Sequence, residues 1–372
     1  MPKRILVIAN TSWYIYNFRF GLLKALLRQG IDITVVAPKD SYSSLLRKEG
    51  CAFVDVFMDN KGLNPISDLV TLVQLFRIYR QSSPDLVIHY TVKPVLYGSL
   101  AARLLDLPTI NNITGFGTAF LNRKWVAAVV KRLYRVSQKR ASRVVFQNCD
   151  DQAFFVEQRL IPEPVAELIP GTGIDTSLFM PQPYSQNDDV VFLLMSRMIW
   201  DKGIGEFVEA ARRIKSEFSE VRFQLLGFLD VSNRTAISRE QMQIWAEQGI
   251  IEYLGETDDV RPYISNADCL VLPSYREGLP RALLEAAAMA RPVIATDTEG
   301  CREVVNDGIN GYLCQPRNAE DLAEKMEKMI RLSVDQRRAM GLRGRKKIEE
   351  EFDEKVIVRR LVSTVNQILA RS

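Results

Sequence analysis

Short apolar runs alternate with longer amphipathic stretches along the first half of the chain. The runs occupy residues 5–9, 33–37, 52–56, 86–89, 109–112 and 144–147. Helical spacing of apolar residues is found between them, at 18–28, 66–80 and 94–105. This alternation is typical of βα units, so it predicts a doubly wound α/β domain with a mostly parallel sheet.

The alternation starts again after a polar, proline-rich segment at residues 181–189, which is a candidate linker. The predicted elements are strands at 190–195, 221–226, 250–254, 269–272 and 293–295, and helices at 203–218 and 234–248. The second half therefore predicts another doubly wound domain, which we expect to face the first.

Length and composition agree with this organisation. The 372 residues suggest two domains, and 47% hydrophobic with 25% charged residues is ordinary for a soluble globular protein. No apolar run approaches the roughly 18 residues that a membrane helix needs, and the first run is too short for a signal peptide. The five cysteines form no C-x-x-C pair and only one histidine accompanies them. We therefore expect reduced thiols, a cytoplasmic protein and no zinc site.

Charge is distributed unevenly along the chain. Residues 1–175 carry 22 Lys and Arg against 14 Asp and Glu, a net charge of +8, whereas the remainder carries 27 against 31, a net of −4. No acidic residue occurs from 107 to 149, and residues 123–143 hold eight basic side chains. A basic amphipathic helix with a tryptophan suits the interface of an anionic membrane. The residues predicted to make this contact are Lys124, Trp125, Lys131, Arg132 and Arg135. A core-packed helix with a solvated basic face is one alternative, and a nucleic-acid contact without a recognisable motif is another.

The most distinctive chemistry follows the strand predicted at 269–272. Pro280 is suited to the first position of a helix, so Glu277 lies in the loop before it and Glu285 about a turn and a half into it. Gly278 lets a ligand approach the backbone closely, and the free N–H groups of the first turn suit a phosphate. The two carboxylates then suggest sugar or ribose hydroxyls on either side of a diphosphate. From spacing alone, two solvated glutamates are an equal alternative.

Arg197 and Lys202 follow the first strand of the same predicted domain. Both side chains could reach a diphosphate, Arg as a planar fork and Lys as a point charge. Ligands of doubly wound sheets bind at the carboxyl ends of the strands. The two cations and the two glutamates therefore form one predicted constellation.

Loops at the corresponding edge of the first domain are candidate acceptor sites. Residues 10–17 contain aromatic and hydroxyl side chains and no glycine; they could line a sugar site or pack beneath a loop. His89 could be a donor or base, or a satisfied hydrogen-bonding group, and Lys93 could face a phosphate or solvent. The loop at 114–118 could also face the acceptor. The predicted acceptor-binding residues are Asn10, Thr11, Tyr14, Lys93, Thr114 and Gly115.

The combined motifs resemble the retaining GT-B glycosyltransferases of family 4 over nearly the whole chain. In the second half the resemblance rests on Ser196-Arg197, Lys202-Gly203, Gly255, Asp268, Ser274-Tyr275-Arg276-Glu277-Gly278 through Glu285-Ala286, and Gly308-Ile309-Asn310-Gly311. The first half is similar to a bacterial branch that elongates lipid-linked saccharides. That similarity rests on His89-Tyr90-Thr91-Val92-Lys93-Pro94, Asn111-Asn112-Ile113-Thr114-Gly115-Phe116-Gly117 and Val145-Phe146-Gln147-Asn148. The branch includes capsule enzymes and the transferase that adds N-acetylgalactosamine to polyprenyl-diphosphate bacillosamine.

The resemblance implies two facing Rossmann-like domains. Residues 1–178 would bind the acceptor and residues 179–355 the nucleotide sugar, with a helix in 356–372 packing back on the first domain. Glu285 would bind the donor ribose, and Glu277 the sugar hydroxyls. The remaining donor contacts would come from Arg197, Lys202, Gly278, Leu279, Pro280, Arg281, Ala282 and Leu283. The residues with implied catalytic roles are Glu277, Arg197, Lys202 and His89, and no metal or other cofactor is expected.

The implied activity is that of a hexosyltransferase in the assembly of a cell-surface polysaccharide or glycan. It would move a sugar, expected to be an N-acetylhexosamine, from a UDP-sugar to an undecaprenyl-diphosphate-linked saccharide at the cytoplasmic face of the membrane. A double displacement needs two carboxyls about 5–5.5 Å apart at the anomeric carbon. Because one glutamate is expected on the ribose, we expect front-face retention without a covalent intermediate. A nucleotide-sugar 2-epimerase and a catalytically silent nucleotide-sugar-binding partner are the alternatives.

Overall fold

Each of the two units into which the chain divides is built on one parallel sheet. The computed structural model describes residues 2–59, 64–114, 124–183, 189–231 and 233–371, with the backbone alone at 124–126. Unit 1 is Met1–Thr172 together with Glu354–Ser372, and unit 2 is Gly173–Asp353. The assignment of the acceptor to the first unit and of the nucleotide sugar to the second stays a prediction.

Seven strands form the sheet of unit 1. They are β1 Arg4–Ile8, β2 Asp32–Ala37, β3 Ala52–Asp55, β4 Leu86–Tyr90, β5 Thr109–Ile113, β6 Arg143–Phe146 and β7 Ala166–Leu168. Their order is β3-β2-β1-β4-β5-β6-β7, and all neighbours are parallel. Helices cover both faces, which explains why β4 and β5 are buried along their whole length. The six strands predicted in this half are confirmed to within one residue at each end.

The helices of unit 1 lie between these strands. They are α1 Ser12–Phe18, α2 Phe20–Arg28, α3 Tyr42–Lys48, α4 Pro65–Ser82, α5 Ser99–Leu104, α6 Lys124–Ser137 and α7 Cys149–Glu157. The prediction of a loop at 10–17 is wrong, because Thr11 caps α1 by accepting a hydrogen bond from the backbone N–H of Tyr14. The helix predicted at 94–105 is a π-helical turn, Pro94–Gly98, followed by α5.

The described residues of unit 2 form a sheet of six strands, again all parallel. They are β8 Val190–Met195, β9 Val221–Leu226, β10 Glu252–Tyr253, β11 Cys269–Leu272, β12 Val293–Thr296 and β13 Gly311–Cys314, in the order β10-β9-β8-β11-β12-β13. The helices are α8 Ile204–Glu217, α9 Arg239–Glu247, α10 Arg261–Asn266, α11 Arg281–Ala288, α12 Cys301–Val304, α13 Ala319–Arg331 and α14 Val334–Lys347. Since β8 and β11 are neighbours, the loops that follow them emerge side by side.

The last helix, α15 Glu354–Leu369, belongs to unit 1 although it follows the whole of unit 2 in the sequence. It packs against α2. Its buried residues Ile357, Leu361 and Val365 join Leu22 and Leu26 in the core of unit 1. The prediction that the last helix packs back on the first domain is confirmed.

Candidate active site

Glu277 lies in the loop between β11 and α11, where two other residues hold its carboxylate. The ammonium group of Lys202 forms an ion pair with Oε1 of Glu277. The Ser274 hydroxyl donates a hydrogen bond of 2.6 Å to the same oxygen. The side chains of Lys202 and Glu277 are only 19% and 13% exposed, so water screens this pair weakly. The structure thus brings together two residues that the sequence placed on different loops.

Glycines allow these loops to come so close together. Gly203 has φ +71°, and a Cβ added there would lie 2.0 Å from the carbonyl oxygen of Pro273. Gly300, at the N-terminus of α12, has φ +74°, and its Cβ would lie 2.3 Å from the carbonyl oxygen of Gly278. Both the left-handed backbone and the missing space require glycine. The loops after β8, β11 and β12 therefore form one packed edge.

Arg197 follows β8 directly and its side chain is exposed. Its carbonyl oxygen accepts a hydrogen bond from the Ser196 hydroxyl. Within the described part of the chain, the Arg197 guanidinium makes no hydrogen bond or ion pair. An exposed cation with all its N–H groups available, in the segment after β8 that also holds Lys202, is suited to bind a polyanion.

Glu285 lies on the fifth residue of α11 and pairs with Arg281 in the first turn. The Nε of Arg281 donates to Oε1 of Glu285 over 2.8 Å. Burial raises the pKa of Glu285, and the Arg281 charge opposes that shift. Pro280 is the N-cap of α11 rather than its first helical residue, and its side chain makes no capping hydrogen bond. The first turn of α11 thus has the polarity of an anion site, without a side chain capping it.

Several supporting residues were missed by the sequence analysis. The Tyr275 hydroxyl donates to Glu206 over 2.8 Å, and the Arg317 guanidinium lies 4.4 Å from the centre of the Tyr275 ring. The backbone N–H of Tyr275 donates to the carbonyl oxygen of Asp201. Burial, with Glu206 next, raises the pKa of Tyr275 to about 12. In the sequence, Glu206 looks like an ordinary surface residue of a helix. Only the folded structure reveals its contact with Tyr275.

Cys301 is a further residue without a distinguishing sequence signal. It is fully buried at the start of α12. Burial, with the Glu277 charge next, raises the pKa of its thiol to about 12. The thiol is therefore protonated at neutral pH and is not a nucleophile.

His89 is the penultimate residue of β4 and is completely buried. Its Nδ1 donates to Oδ1 of Asn111 over 2.7 Å, and its Nε2 accepts from the Tyr79 hydroxyl over 2.8 Å. Burial lowers the pKa of His89 to about 4, which keeps the ring neutral. A Cβ on Gly98 would lie 2.4 Å from Nε2, so this glycine leaves room for the ring. The structure favours the satisfied hydrogen-bonding group over the predicted donor or base, because both nitrogens are occupied away from solvent.

The predicted acceptor residues differ in their contacts and burial. Thr11 caps α1, and the Tyr14 hydroxyl accepts a hydrogen bond from Nη2 of Arg19. Lys93 forms a 2.7 Å ion pair with the buried Asp68. Its charge is therefore paired within unit 1, and its predicted contact with an acceptor stays a prediction. Asn10 and Thr114 are half-buried; Gly115 lies outside the described residues.

The basic helix α6 packs into unit 1 with one face, through Val130 and Tyr134. Lys131 donates to the side chain of Gln158, and Arg135 donates to carbonyl oxygens just beyond α7. Arg132 is exposed, whereas the side chains of Lys124 and Trp125 lie outside the described residues. Two of the predicted membrane-facing cations thus also bind within unit 1. The described residues contain no helix with the length and hydropathy needed to cross a bilayer.

Comparison with known protein families decides the identity. A model described as glycosyl transferase 4-like matches residues 4–148, and one described as glycosyl transferases group 1 matches residues 189–331. Together the two matches cover well over half of the chain. The chain is a glycosyltransferase that joins a glycosyl transferase 4-like domain to a group 1 domain. As a glycosyltransferase it is an enzyme, and the family predicted from its motifs is confirmed.

Two relatives that act on lipid-linked sugars match this glycosyltransferase over most of their length. It is 27% identical to the N,N'-diacetylbacillosaminyl-diphospho-undecaprenol alpha-1,3-N-acetylgalactosaminyltransferase of Campylobacter jejuni, over 98% of this chain and 99% of the relative. It is 23% identical to the UDP-Gal:alpha-D-GlcNAc-diphosphoundecaprenol alpha-1,3-galactosyltransferase of Escherichia coli, over 84% and 86%. The solved structure of Anabaena HepE in complex with UDP-glucose matches with a TM-score of 0.79 at 17% identity, over 98% and 99% of the two chains. The predicted GT-B fold class is confirmed.

Proposed function

We propose that this glycosyltransferase moves an N-acetylhexosamine from a UDP-sugar to an undecaprenyl-diphosphate-linked saccharide during assembly of a cell-surface glycan. The names of two relatives support this acceptor class, since both act on sugars linked to undecaprenol through a diphosphate. The first of them transfers N-acetylgalactosamine, and the second uses a UDP-sugar. The chain covers nearly all of the first relative, which supports a shared substrate class.

The observation that carries the proposal is the joint placement of Arg197, Lys202 and Glu277 at one edge of the unit 2 sheet. An exposed guanidinium and the uncapped first turn of α11 supply positive potential for a diphosphate. Glu277, held by Lys202 and Ser274, is an acceptor for sugar hydroxyls. A donor diphosphate at this edge would have cations on one side and a carboxylate beside its sugar.

The mechanism that suits these residues is front-face transfer with retention. The bond between the anomeric carbon and the diphosphate oxygen breaks, and UDP leaves with the electron pair. The acceptor hydroxyl bonds to the same face of the sugar, and its proton passes to the departing phosphate oxygen. Arg197, Lys202 and the first turn of α11 stabilise the charge that develops on the diphosphate. His89 takes no part in the proton transfer, since it is buried and neutral.

The test combines each of several UDP-sugars with an undecaprenyl-diphosphate-linked saccharide, and measures UDP release and product mass. UDP release that requires the lipid-linked acceptor, together with product heavier by one N-acetylhexosamine, is expected. An NMR spectrum of the product should contain an α-configured linkage from the α-configured donor. Release of free 2-epimer without acceptor would instead identify an epimerase. Because no metal is expected to take part, addition of EDTA should leave the rate unchanged.

Peripheral contact with the cytoplasmic face of the membrane is the second part of the proposal. Arg132 is the best probe, because it is exposed on α6 while Lys131 and Arg135 bind the end of α7. We expect Arg132→Glu to weaken cosedimentation with vesicles containing anionic lipid. The matched control is Arg28→Glu, which reverses an exposed charge on α2. Equal vesicle binding by the two variants would contradict the contribution of α6.

A further inference from the structure

Arg19 is a buried cation with no acidic partner among the residues that the structure describes. It lies in the turn between α1 and α2 and is 3% exposed. Its Nε and Nη2 donate to the Tyr14 hydroxyl over 3.3 and 3.0 Å, and its Nη1 donates to the carbonyl oxygen of Gly171 over 3.4 Å. Within the described ranges, no carboxylate forms an ion pair with it. A buried charge without a counter-ion is costly, and a guanidinium has five N–H groups to satisfy.

Two aromatic rings face the guanidinium without neutralising it. Its Cζ lies 4.4 Å from the centre of the Tyr90 ring and 5.7 Å from that of the Tyr14 ring. Cation–π contacts offset part of the cost of burial. They supply no formal negative charge, so the N–H groups that lack an acceptor remain suited to an anion.

A second observation comes from the hydroxyl groups at the end of β4. The Tyr90 side chain is fully buried, and its hydroxyl has no hydrogen-bond partner among the described residues. The Thr91 hydroxyl oxygen is also buried without a partner in that part of the chain. Buried hydroxyls are normally satisfied. Two orphaned ones on consecutive residues, the first on the ring that faces Arg19, point to a missing polar group.

The backbone at the same place is strained. Thr91 has φ +67°, a left-handed conformation that β-branched residues rarely adopt. Such strain persists where the surrounding structure imposes it, and it clusters at ligand sites. Thr91 directly follows β4, next to β1 in the sheet, and ligands of doubly wound sheets bind at these carboxyl ends.

We propose that Arg19, with the hydroxyls of Tyr90 and Thr91, binds the diphosphate group of a substrate on unit 1. This inference rests on the proposed function, which supplies two diphosphates, one in the lipid-linked acceptor and one in the nucleotide sugar. A phosphate provides the negative charge and matches the fork of a guanidinium. The hydroxyls of Tyr90 and Thr91 donate to its remaining oxygens. Lys93 differs from Arg19 in that its charge is already paired, with Asp68.

The experiment is calorimetric titration of the full-length protein with farnesyl diphosphate, farnesol and UDP in separate arms. Farnesyl diphosphate stands for the lipid diphosphate, and farnesol controls for the hydrocarbon. We expect Arg19→Gln to weaken farnesyl diphosphate binding at least about tenfold, as loss of a charge-assisted pair does. Arg19→Lys should recover part of the affinity. The matched control Arg28→Gln removes an exposed charge at the other end of α2 and should bind as the wild type does.

Tyr90→Phe separates ligand binding from a structural role. Removing an unpartnered buried hydroxyl is neutral or stabilising for the protein alone. We therefore expect an unchanged or higher Tm together with several-fold weaker binding of farnesyl diphosphate. Unchanged affinity in both Arg19→Gln and Tyr90→Phe would overturn the proposal, and Arg19 would then serve only to hold Gly171.

The separate titrations also show which substrate supplies the diphosphate, and whether the proposed function itself fails. Weaker binding of UDP in Arg19→Gln, with farnesyl diphosphate unaffected, would support the site and assign it to the nucleotide sugar. A wild-type protein that binds UDP but not farnesyl diphosphate would contradict a lipid-linked acceptor. The effect of Arg19→Gln on UDP binding would then still test the site. Binding of neither compound by the wild type would overturn both.

Discussion

Arg197 and Lys202 are both cations of the predicted donor site, but their surroundings differ. Lys202 is paired with Glu277 in the folded protein, so replacing it would leave a carboxylate without its counter-ion. Arg197 is exposed and forms no such pair. A mutation of Arg197 therefore tests substrate interactions with little effect on the fold. A mutation of Lys202 would change both the substrate interactions and the stability of the fold.

We predict that Arg197→Ala lowers kcat/KM by about 10²–10³, the range for loss of one group that stabilises charge in a transition state. Its Tm should stay within a degree or so of the wild-type value, because surface substitutions without structural contacts change stability little. Steady-state kinetics and thermal denaturation measure the two effects. Arg338→Ala, which removes an exposed arginine on α14, is the control and should retain full activity.

His89 predicts a pH dependence of stability. Because burial lowers its pKa to about 4, against about 6.5 in an unfolded chain, the unfolded state binds a proton first as the pH falls. The contribution of neutral His89 to stability is complete above pH 6.5 and is lost as the pH falls towards 4. Between pH 7 and 5 the free energy of unfolding should fall by on the order of 2 kcal/mol from this group.

NMR can follow this group directly, since His89 is the single histidine of the chain. Its ring signals should not titrate between pH 8 and 5 in the folded protein. In urea-unfolded protein the same signals should titrate near pH 6.5. A folded-state midpoint near 6.5 would mean that the ring is solvated, in conflict with its buried contacts to Tyr79 and Asn111.

The sequence could identify the chemistry of these residues but not their burial. Glu277 and Lys202 were predicted together because both follow strands of the same sheet. The carboxyl ends of parallel strands lie at one edge of the sheet, so both residues are expected there. His89 lies near the end of β4, and nothing local to it reveals that Tyr79 and Asn111 occupy its two nitrogens. The buried position of Arg19 was likewise missed, because its neighbours Tyr90 and Gly171 are distant in sequence.

At the scale of elements, the contact between the start of α12 and the loop after β11 can be tested at Gly300. We predict that Gly300→Ala lowers both stability and kcat/KM, because its Cβ would push the backbone of Gly278 beside Glu277. Gly249→Ala is the matched control: it has φ +68° as well, but nothing lies within 4 Å of its added Cβ. Both variants should lose about 1 kcal/mol from backbone strain. Only Gly300→Ala should lose activity, as measured by kinetics beside denaturant unfolding.

The strands were predicted better than the helices for a physical reason. Parallel strands covered on both faces are continuous apolar runs, as in β8, and such runs have sharp ends in a sequence. The helix α1 was missed because aromatic and β-branched residues occupy much of it, and these have modest helix propensity. The strand β13 was missed because it is short and begins with glycine, next to polar residues.

At the scale of the whole molecule, the division into two units predicts where a nucleotide stabilises the protein. Arg197, Lys202, Glu277 and Glu285 all belong to unit 2. Calorimetric unfolding should therefore contain two transitions, and UDP at 100 times its Kd should stabilise one of them by about 2.7 kcal/mol. The temperature of the other transition should change little. Cytidine is the control ligand. Equal shifts of both transitions would contradict the proposal that most donor contacts lie on unit 2.

The position of α15 has a consequence for synthesis on the ribosome. Domains are generally completed in the order in which they are translated, but unit 1 lacks the apolar side of α15 until that helix has left the exit tunnel, after the whole of unit 2. Unit 2 is continuous from Gly173 to Asp353, so it is the first unit whose whole core is available. The nascent unit 1 meanwhile exposes Leu22 and Leu26, which α15 covers in the finished protein. A stop codon before α15 would leave that surface open for chaperones and proteases.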